Sequence, residues 1–219
     1  MLSRRTVVFG LPLLTAGCAS APPIQMAAAP VDPAYQAMYG EIDSERFPVP
    51  AIDLTDIDPV FLRQEVSYST AEQPGTVVID PANHFLYLVR AGGRAMRYGI
   101  GVGREGFGWS GRAQIDRKAE WPTWTPPHEM VLRDPKAAPF AKGMPGGPKN
   151  PLGARAMYLY QDGRDTLYRI HGTTEPESIG QSMSSGCIRL MNQDIINLYG
   201  RVPTGSRVVV LRATGMKTS

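Results

Sequence analysis

Two side chains in the C-terminal third of the chain could together perform nucleophilic chemistry. His171 ends an apolar run over 167–170, and Cys187 follows it with fifteen residues between them. A cysteine attacks as the thiolate, and its ordinary pKa of about 8.5 leaves the thiol protonated near neutral pH unless a base or a positive field is close. Histidine, with an ordinary pKa of about 6.5, is suited to take that proton. Because a loop of this length can return to the end of the strand, the spacing predicts a cysteine–histidine pair.

Small residues at 184–186 lead directly into the cysteine. A turn built from serine and glycine can aim successive N–H groups at one point, which a developing oxyanion requires. From these residues alone a second interpretation stays open, in which Cys187 is a buried, unreactive thiol and His171 a structural hydrogen-bond donor. A metal site is less favoured, because His84 and His128 show no ligand spacing to this pair.

The first 18 residues have the layout of a cleaved export signal. Arg4 and Arg5 stand before an apolar run over 6–16, which is about half the length of a membrane-spanning helix. The paired arginines resemble a twin-arginine export signal, and residues 14–18 resemble a lipobox that would make Cys18 the lipidated first residue of the mature protein. We therefore expect an exported protein that meets the membrane through a lipid anchor only, with no disulfide partner left for Cys187.

Length and charge narrow the classes of function further. A chain of 219 residues can bury a core without disulfides. Its formal net charge of +3 includes Arg4 and Arg5, so a cleaved form would carry 21 basic against 20 acidic residues. Nucleic-acid binding requires a basic face, and none is indicated here, so we expect no nucleic-acid partner.

Residues 19–74 predict a tether rich in proline and alanine, followed by a packed N-terminal extension. Within this segment, Asp58 and Pro59 predict the start of a short helix. From Gly75 the pattern changes to short β-rich runs separated by glycine and proline turns. The predicted strands cover 76–80, 84–90, 95–102, 156–160, 166–170 and 206–211.

One convincing helix is predicted over 193–199, with Asn192 as its N-cap and Gly200 as its stop. Many short strands with one or two short helices predict a mainly β fold, like a sandwich or a barrel.

A longer pattern surrounds the cysteine and the histidine. It comprises His171-Gly172-Thr173, then Ser184-Ser185-Gly186-Cys187-Ile188-Arg189-Leu190, then Val202-Pro203-Thr204-Gly205-Ser206. This pattern resembles the catalytic domain of the YkuD-type L,D-transpeptidases, which are exported enzymes of the bacterial cell wall. The resemblance covers about residues 75–211 and predicts a catalytic domain over 75–213, with a tail over 214–219.

The resemblance implies a mechanism. Cys187 would attack the carbonyl of the third residue of a peptidoglycan stem peptide and expel the terminal D-Ala. His171 would take the thiol proton, and the main-chain carbonyl of Gly172 would orient the imidazole. The N–H groups of Ser185, Gly186 and Cys187 would form the oxyanion hole. Many family members carry histidine where this chain has Ser185, so only the N–H of that residue is expected to act.

Four further residues are candidates for binding the substrate. Arg189 matches the arginine of the family motif, and it would either contact a substrate carboxylate or hold the nucleophile loop. The hydroxyls of Ser184 and Thr173 would touch the substrate or satisfy loop amides. Trp124 lies in a run over 121–127 with two tryptophans and three prolines, which would line the cleft or pack in the core.

The resemblance predicts transfer of the acyl group from Cys187 to an amine, which would cross-link peptidoglycan or attach an envelope protein. The acceptor would be a second stem peptide or an outer-membrane protein, and no metal or organic cofactor would be needed. Two alternatives stay open, namely hydrolysis by an L,D-carboxypeptidase and a non-catalytic wall-binding lipoprotein. The predicted location is the periplasm, with the lipid anchor in the outer membrane.

Overall fold

The computed structural model describes residues 32–103, 109–183 and 187–212. The predicted export signal and the predicted lipidation site at Cys18 lie outside the described residues, and so do Ser184, Ser185 and Gly186. Within the described ranges, no helix has both the length and the apolar character needed to cross a membrane. The predicted boundaries of tether, extension and catalytic domain stay predictions.

The described residues form a single sheet of eleven strands with few, short helices. In chain order, the strands β1 to β11 are Gln64–Ser67, Val77–Asp80, Phe85–Arg90, Arg94–Gly99, Gly101–Gly103, Gly111–Glu120, Arg155–Gln161, Arg164–His171, Ser182–Met183, Ile188–Arg189 and Arg207–Val210. Across the sheet they run β1-β4-β3-β2-β11-β6-β7-β8-β10-β5-β9. The prediction of a mainly β fold is confirmed.

The sheet closes on itself at Ile100. This single residue separates β4 from β5, yet the two strands lie near opposite ends of the strand order. The Ile100 N–H bonds to the carbonyl of His84, whereas its carbonyl accepts from Gly180. The strand predicted over 95–102 is therefore divided, because the chain leaves one end of the sheet and joins the other. The curled sheet has the barrel-like form that the sequence predicted.

A tight hairpin fixes the register of the strand that ends in His171. Asp162 and Gly163 connect β7 to β8 and both have positive φ, 51° and 72°, as a two-residue hairpin turn requires. β7 then pairs along β8 as far as Ala156 opposite His171.

The core lies within the curled sheet. Its large fully buried side chains include Ile79, Leu86, Tyr98, Ile100, Ile115, Met157, Leu159, Ile170, Leu190 and Ile195.

The longest described strand, β6, was not predicted from the sequence. Its residues are mostly polar or charged, and only Ala113 and Ile115 are buried. It pairs with β11 on one side and β7 on the other, so its neighbours rather than its own apolar pattern hold it in the sheet. Also unpredicted were β1 and two short helices, α1 over Pro33–Met38 and α2 over His128–Arg133.

The predicted helix near the C-terminus is present as α3, Asn192–Arg201, but both of its predicted ends are wrong. The N-cap residue is Met191, and no side chain caps the helix. The amide of Asn192, the first helical residue, bonds instead to Ala154 and Thr173. Gly200 lies inside the helix, which continues to Arg201.

Residues 32–74, here called the N-terminal extension, pack on the same body. Asp58 caps a single 3-10 turn, Pro59–Phe61, where the sequence predicted a short helix. Gln193 in α3 donates from Nε2 to three carbonyl oxygens of the extension, those of Tyr39, Gly40 and Pro50. Apolar contacts join the two parts, and the buried side chains are Tyr39, Ile57, Leu62, Ile179 and Met191.

A buried carboxylate also joins the extension to α3. Asp194 is fully buried and accepts a hydrogen bond from the Tyr39 hydroxyl at 3.1 Å. Arg63 Nη1 lies 3.3 Å from Asp194 Oδ1, close enough for an ion pair. Burial nevertheless dominates and raises the pKa of Asp194 to about 7, although Arg63 and Tyr39 act in the opposite direction.

Candidate active site

The candidate site is built on two neighbouring parallel strands. β10 pairs with β8 so that Ile188 lies opposite Ile170 and Arg189 lies opposite His171. Because side chains alternate along a strand, the two isoleucines share one face, and both are buried in the core. His171, Arg189 and Cys187, which directly precedes β10, therefore share the other face.

The main chain fixes the orientation of the buried His171. Its Nδ1 lies 2.6 Å from the carbonyl oxygen of Gly172. Because a carbonyl oxygen can only accept a hydrogen bond, Nδ1 carries the proton and Nε2 keeps the free lone pair of a neutral imidazole. Burial lowers the pKa of His171 to about 4; the Gly172 carbonyl opposes this, and the charges of Arg189 and Arg169 add to it. The imidazole is therefore neutral near pH 7.

Cys187 is partly buried and is not in a disulfide. Burial raises the pKa of its thiol, whereas the Arg169 N–H and the charges of Arg169 and Arg189 act in the opposite direction. Since burial prevails, the thiol is protonated at rest. The resting site thus holds a neutral thiol and a neutral imidazole, and attack requires that the thiol proton be removed.

Asn192 holds the loop whose carbonyl orients the imidazole. Its Oδ1 accepts from the N–H of Ala154, and its Nδ2 donates to the carbonyl of Thr173, both at 2.9 Å. A Cβ atom added at Gly172 or at Gly153 would lie 2.3 Å from Asn192 Oδ1. Side chains are therefore excluded at both glycines, and the asparagine amide fits between them.

The cysteine and the histidine line a cleft of about 440 Å³. The segment between β6 and β7, the loop after β8, and β10 all contribute to it. Trp124 lines the cleft, whereas Trp121 is buried in a separate apolar cluster with Val49 and Ala154. The lining residues are Trp124, Pro127, Met130, Pro151, Leu152, His171, Thr173, Thr174, Glu175, Cys187 and Arg189.

Among the described residues, the cleft is lined by one positive and one negative side chain, Arg189 and Glu175. Burial lowers the pKa of Arg189, and the Glu175 carboxylate opposes this. The Arg189 Nε and Nη2 atoms are buried and have no hydrogen-bond partner among the described residues. They lie against Gly101, where an added Cβ would be 3.1 Å from Nη2. Packing against Gly101, which has no side chain, thus positions this guanidinium.

The Thr173 hydroxyl satisfies a loop amide. Its Oγ1 accepts the N–H of Glu175 at 3.0 Å, and the side chain is buried although the residue lines the cleft. Of the two roles considered for this hydroxyl, the structure shows the contact with the loop. The other two candidate binding or oxyanion serines, Ser184 and Ser185, lie outside the described residues, as does Gly186.

The remaining two histidines lie apart from this site. Neither His84 nor His128 lines the cleft, and His84 Nε2 lies 3.0 Å from the Ser182 hydroxyl. Across the described ranges, no three histidine, cysteine, aspartate or glutamate side chains are grouped so that they could hold a metal ion.

Comparison with known families agrees with this geometry. Residues 74–210 match the L,D-transpeptidase catalytic domain, YkuD. The chain belongs to this family. The assignment indicated by the motif around Cys187 is thereby confirmed.

Several curated relatives of the L,D-transpeptidase family are similar in sequence. The chain is 38% identical over 138 residues to YbiS of Escherichia coli K12, which is named a probable L,D-transpeptidase. The matched region covers 60% of this chain and 43% of that protein. It is 37% identical over 169 residues to ErfK/SrfK of the same strain, also named a probable L,D-transpeptidase, with coverage of 69% and 51%. The chain thus spans about half the length of these relatives or less.

A solved structure with higher identity carries a different name. It is a protein of Brucella melitensis named a probable carnitine operon oxidoreductase. The two are 52% identical, with a TM-score of 0.50, and the match covers 73% of this chain and 99% of that one.

Three glycines of this chain match the spacing of a nucleotide-binding fingerprint, but the first two lie in a different setting. Gly101, Gly103 and Gly106 fit G-x-G-x-x-G, a fingerprint that requires a strand followed at once by a helix. Here Gly101–Gly103 is β5 and the next strand begins at Gly111, which leaves too few residues for a crossover helix. In this chain β5 serves instead as the neighbour of the β10 strand beside the thiol.

Sequence reasoning missed Arg169 in this L,D-transpeptidase site. It precedes His171 by two residues on β8 and so shares its face. Two hydrogen bonds to Asp165, of 2.6 and 2.7 Å, hold the guanidinium, which also lies 4.5 Å from the centroid of the Tyr158 ring. The period of two along the predicted strand was the signal that could have identified it.

Proposed function

We propose that the protein is a peptidoglycan L,D-transpeptidase with Cys187 as its nucleophile. The observation that carries the proposal is the 2.6 Å contact between His171 Nδ1 and the carbonyl oxygen of Gly172. That contact leaves Nε2 as the proton acceptor in a cleft that the thiol also lines. Membership of the L,D-transpeptidase family supports the same assignment.

In the first half-reaction, His171 Nε2 takes the thiol proton while the Cys187 sulfur attacks the carbonyl carbon of the third stem residue. The tetrahedral intermediate collapses when the imidazolium returns this proton to the nitrogen of the terminal D-Ala, whose amide bond breaks. A thioester and free D-Ala result. Because the pKa of His171 is lowered to about 4, the imidazole is in its accepting form throughout the neutral range.

In the second half-reaction, an amine attacks the thioester. His171 removes a proton from the attacking nitrogen and delivers it to the sulfur as the carbon–sulfur bond breaks. The product is a new amide, which cross-links two stem peptides or attaches an outer-membrane protein, depending on which molecule carries the amine.

Further groups of this chain would bind the reacting peptide. The N–H groups of Ser185, Gly186 and Cys187 would bind the oxyanion, as the family resemblance implies. Arg189 would bind a carboxylate of the donor, since it lines the cleft and its fork matches carboxylate geometry. Trp124 would supply an apolar contact for the peptide, and Ser184 a polar one.

We also propose that the protein acts in the periplasm, held to the outer membrane by lipid on Cys18. The lipobox-like residues 14–18 support the anchor, and the arginines before the apolar run support export by the twin-arginine route. Palmitate labelling of cells that express the native chain or Cys18→Ala tests the anchor. Equal labelling of the two proteins would contradict it.

The reaction is tested with purified protein, a tetrapeptide donor and an amine acceptor. Native protein is expected to release D-Ala and to form the new amide, as seen by mass spectrometry. Cys187→Ala should abolish both products, because no thioester can form. Arg112→Gln, on the exposed surface, is the matched control and should retain native rates. Full activity of Cys187→Ala would overturn the proposal.

The same assay separates the two alternatives. Release of D-Ala without incorporation of any acceptor would identify an L,D-carboxypeptidase, because water then resolves the thioester. A native protein that neither releases D-Ala nor acquires the mass of an acyl group on Cys187 would be a non-catalytic wall-binding protein. Muropeptides from cells with and without the protein would then identify the natural acceptor.

A further inference from the structure

Cys187 directly precedes β10 and lies beside β8, just before the first residue pair of the two strands. The β8–β10 ladder pairs Arg189 with His171, so continuing the register brings Cys187 opposite Arg169. In this register the Arg169 N–H lowers the pKa of the Cys187 thiol. The backbone of Arg169 therefore lies beside the thiol where the strand pairing stops.

The side chain of the same residue is held close by. The Arg169 guanidinium makes two bonds to Asp165, and Nη1 also donates to the carbonyl of Tyr168 at 2.9 Å. It packs over the ring of Tyr158, and only 16% of the side chain is exposed. A cation that is fixed and largely removed from water acts on its neighbours through a lower effective dielectric constant than an exposed one.

In the part of the chain that the structure describes, four charged or titratable side chains face the thiol. Arg169 and His171 come from β8, Arg189 follows the cysteine on β10, and Glu175 lines the cleft. The two arginines favour the thiolate, the glutamate disfavours it, and the histidine receives the proton. Arg189 lies in the cleft, where a substrate carboxylate can offset its charge, whereas Arg169 does not line the cleft.

We propose that Arg169, opposite Cys187 in the strand register, is a positioning residue that favours the thiolate through its fixed guanidinium charge and its backbone N–H. This inference rests on the proposed role of Cys187 as the nucleophile. Arg169 would thus supply a positive charge that a bound substrate carboxylate does not offset. Asp165 fixes that charge in place and at the same time offsets part of it.

The test measures the rate at which iodoacetamide alkylates Cys187 as a function of pH, in the native protein, Arg169→Met and Asp165→Asn. Arg169→Met removes the positive charge, so its alkylation curve should move to higher pH by about one unit, with alkylation about tenfold slower at pH 8. Asp165→Asn leaves the positive charge without its counter-ion, so its curve should move to lower pH. Arg169→Lys keeps the charge and should stay near the native curve.

These variants separate electrostatics from simple anchoring. Both Arg169→Met and Asp165→Asn break the same ion pair, so a purely structural role predicts shifts in the same direction, or none. Either result in folded protein would overturn the inference. If Arg169→Met does not fold, Asp165→Asn decides alone, because its asparagine Oδ1 can still accept the Leu167 N–H bond, and an unchanged or slower rate would contradict the inference.

Alkylation needs no peptide substrate and is therefore independent of the acyl-transfer assay. If native protein fails to release D-Ala while the opposite shifts are observed, the proposed function fails and the role of Arg169 stands. If native protein releases D-Ala and the shifts are absent, the proposed function stands and the role of Arg169 fails.

Discussion

Asn192 donates a hydrogen bond from its side-chain amide to the carbonyl oxygen of Thr173, at 2.9 Å. The other end of the same amide accepts from the N–H of Ala154, at the entrance to β7. One side chain on α3 thus joins the start of β7 to the loop that contains Gly172. Since the Gly172 carbonyl orients His171, Asn192 acts on the proton acceptor through the backbone.

Asn192→Asp should lower activity while leaving substrate binding nearly unchanged. The carboxylate cannot donate to the Thr173 carbonyl and would repel it, so we expect a loss of about 2–3 kcal/mol in stability and a lower kcat. Urea unfolding and D-Ala release measure the two effects. Asn197→Asp is the control on the same helix, because Asn197 only accepts there, from Tyr98 and Arg201. Equal effects of the two substitutions would contradict this role.

Gly153→Ala should destabilise the protein far more than Gly163→Ala. The φ angles of Gly153 and Gly163 are 63° and 72°, where an alanine costs roughly 1–2 kcal/mol. At Gly163 no atom lies within 4 Å of the added Cβ, whereas at Gly153 the Cβ would lie 2.3 Å from Asn192 Oδ1. We therefore expect at least about 3 kcal/mol for Gly153→Ala in urea unfolding. Similar losses at the two sites would show that the amide can move aside.

The acid limb of the pH profile of kcat/KM should lie near pH 4 rather than near 6.5. Burial lowers the pKa of His171 to about 4, and the base is lost only when it is protonated. D-Ala release at low substrate concentration, measured from pH 3.5 to 8, gives this limb. Activity that already halves near pH 6.5 would mean that the imidazole is better hydrated than its buried position indicates.

Asp194 should make protein stability fall as pH rises from about 4 to above 7, whereas His171, whose pKa is lowered from 6.5 to about 4, makes it rise between those two values. The pKa of Asp194 is raised from 3.8 to about 7, so in this window the native state binds a proton that the unfolded chain has already released. The contribution of Asp194 to the free energy of unfolding therefore decreases with pH, by up to a few kcal/mol. Asp194→Asn should remove this contribution, so that stability in urea unfolding rises with pH between about 4 and 6.5, and the exposed Asp116→Asn should keep the native profile. A profile of Asp194→Asn that matches the native one would contradict the role of Asp194.

The chemistry of the site could be predicted because it depends on residue types and short spacings. A histidine at the end of an apolar run and a cysteine after a serine–glycine turn lie where the strands β8 and β10 bring them together. The role of Asn192 could not be found in this way. Its position before an apolar run fits an N-cap equally well, and its actual partners, Ala154 and Thr173, are 38 and 19 residues away in the chain.

The strands with apolar runs were also predictable, since burial leaves its pattern in the sequence. β6 was missed because both of its edges are paired, so hydrogen bonding to β7 and β11 sustains a strand of mostly polar residues. The division at Ile100 was missed for a related reason. The apolar pattern continues across it, and only the positions of distant strands decide where the chain changes partner.

The strands β2 and β11 pair in parallel in the middle of the sheet, with Val77 opposite Val208. One is the second strand of the chain and the other is the last. Likewise, β5 finds its neighbour β10 only after more than eighty further residues have been added. Contacts of such long range are slow to form, because much chain entropy is lost before they stabilise anything. A chain that stops before β11 therefore lacks the strand that joins β2 to β6, and has no continuous sheet to support the strands around its thiol.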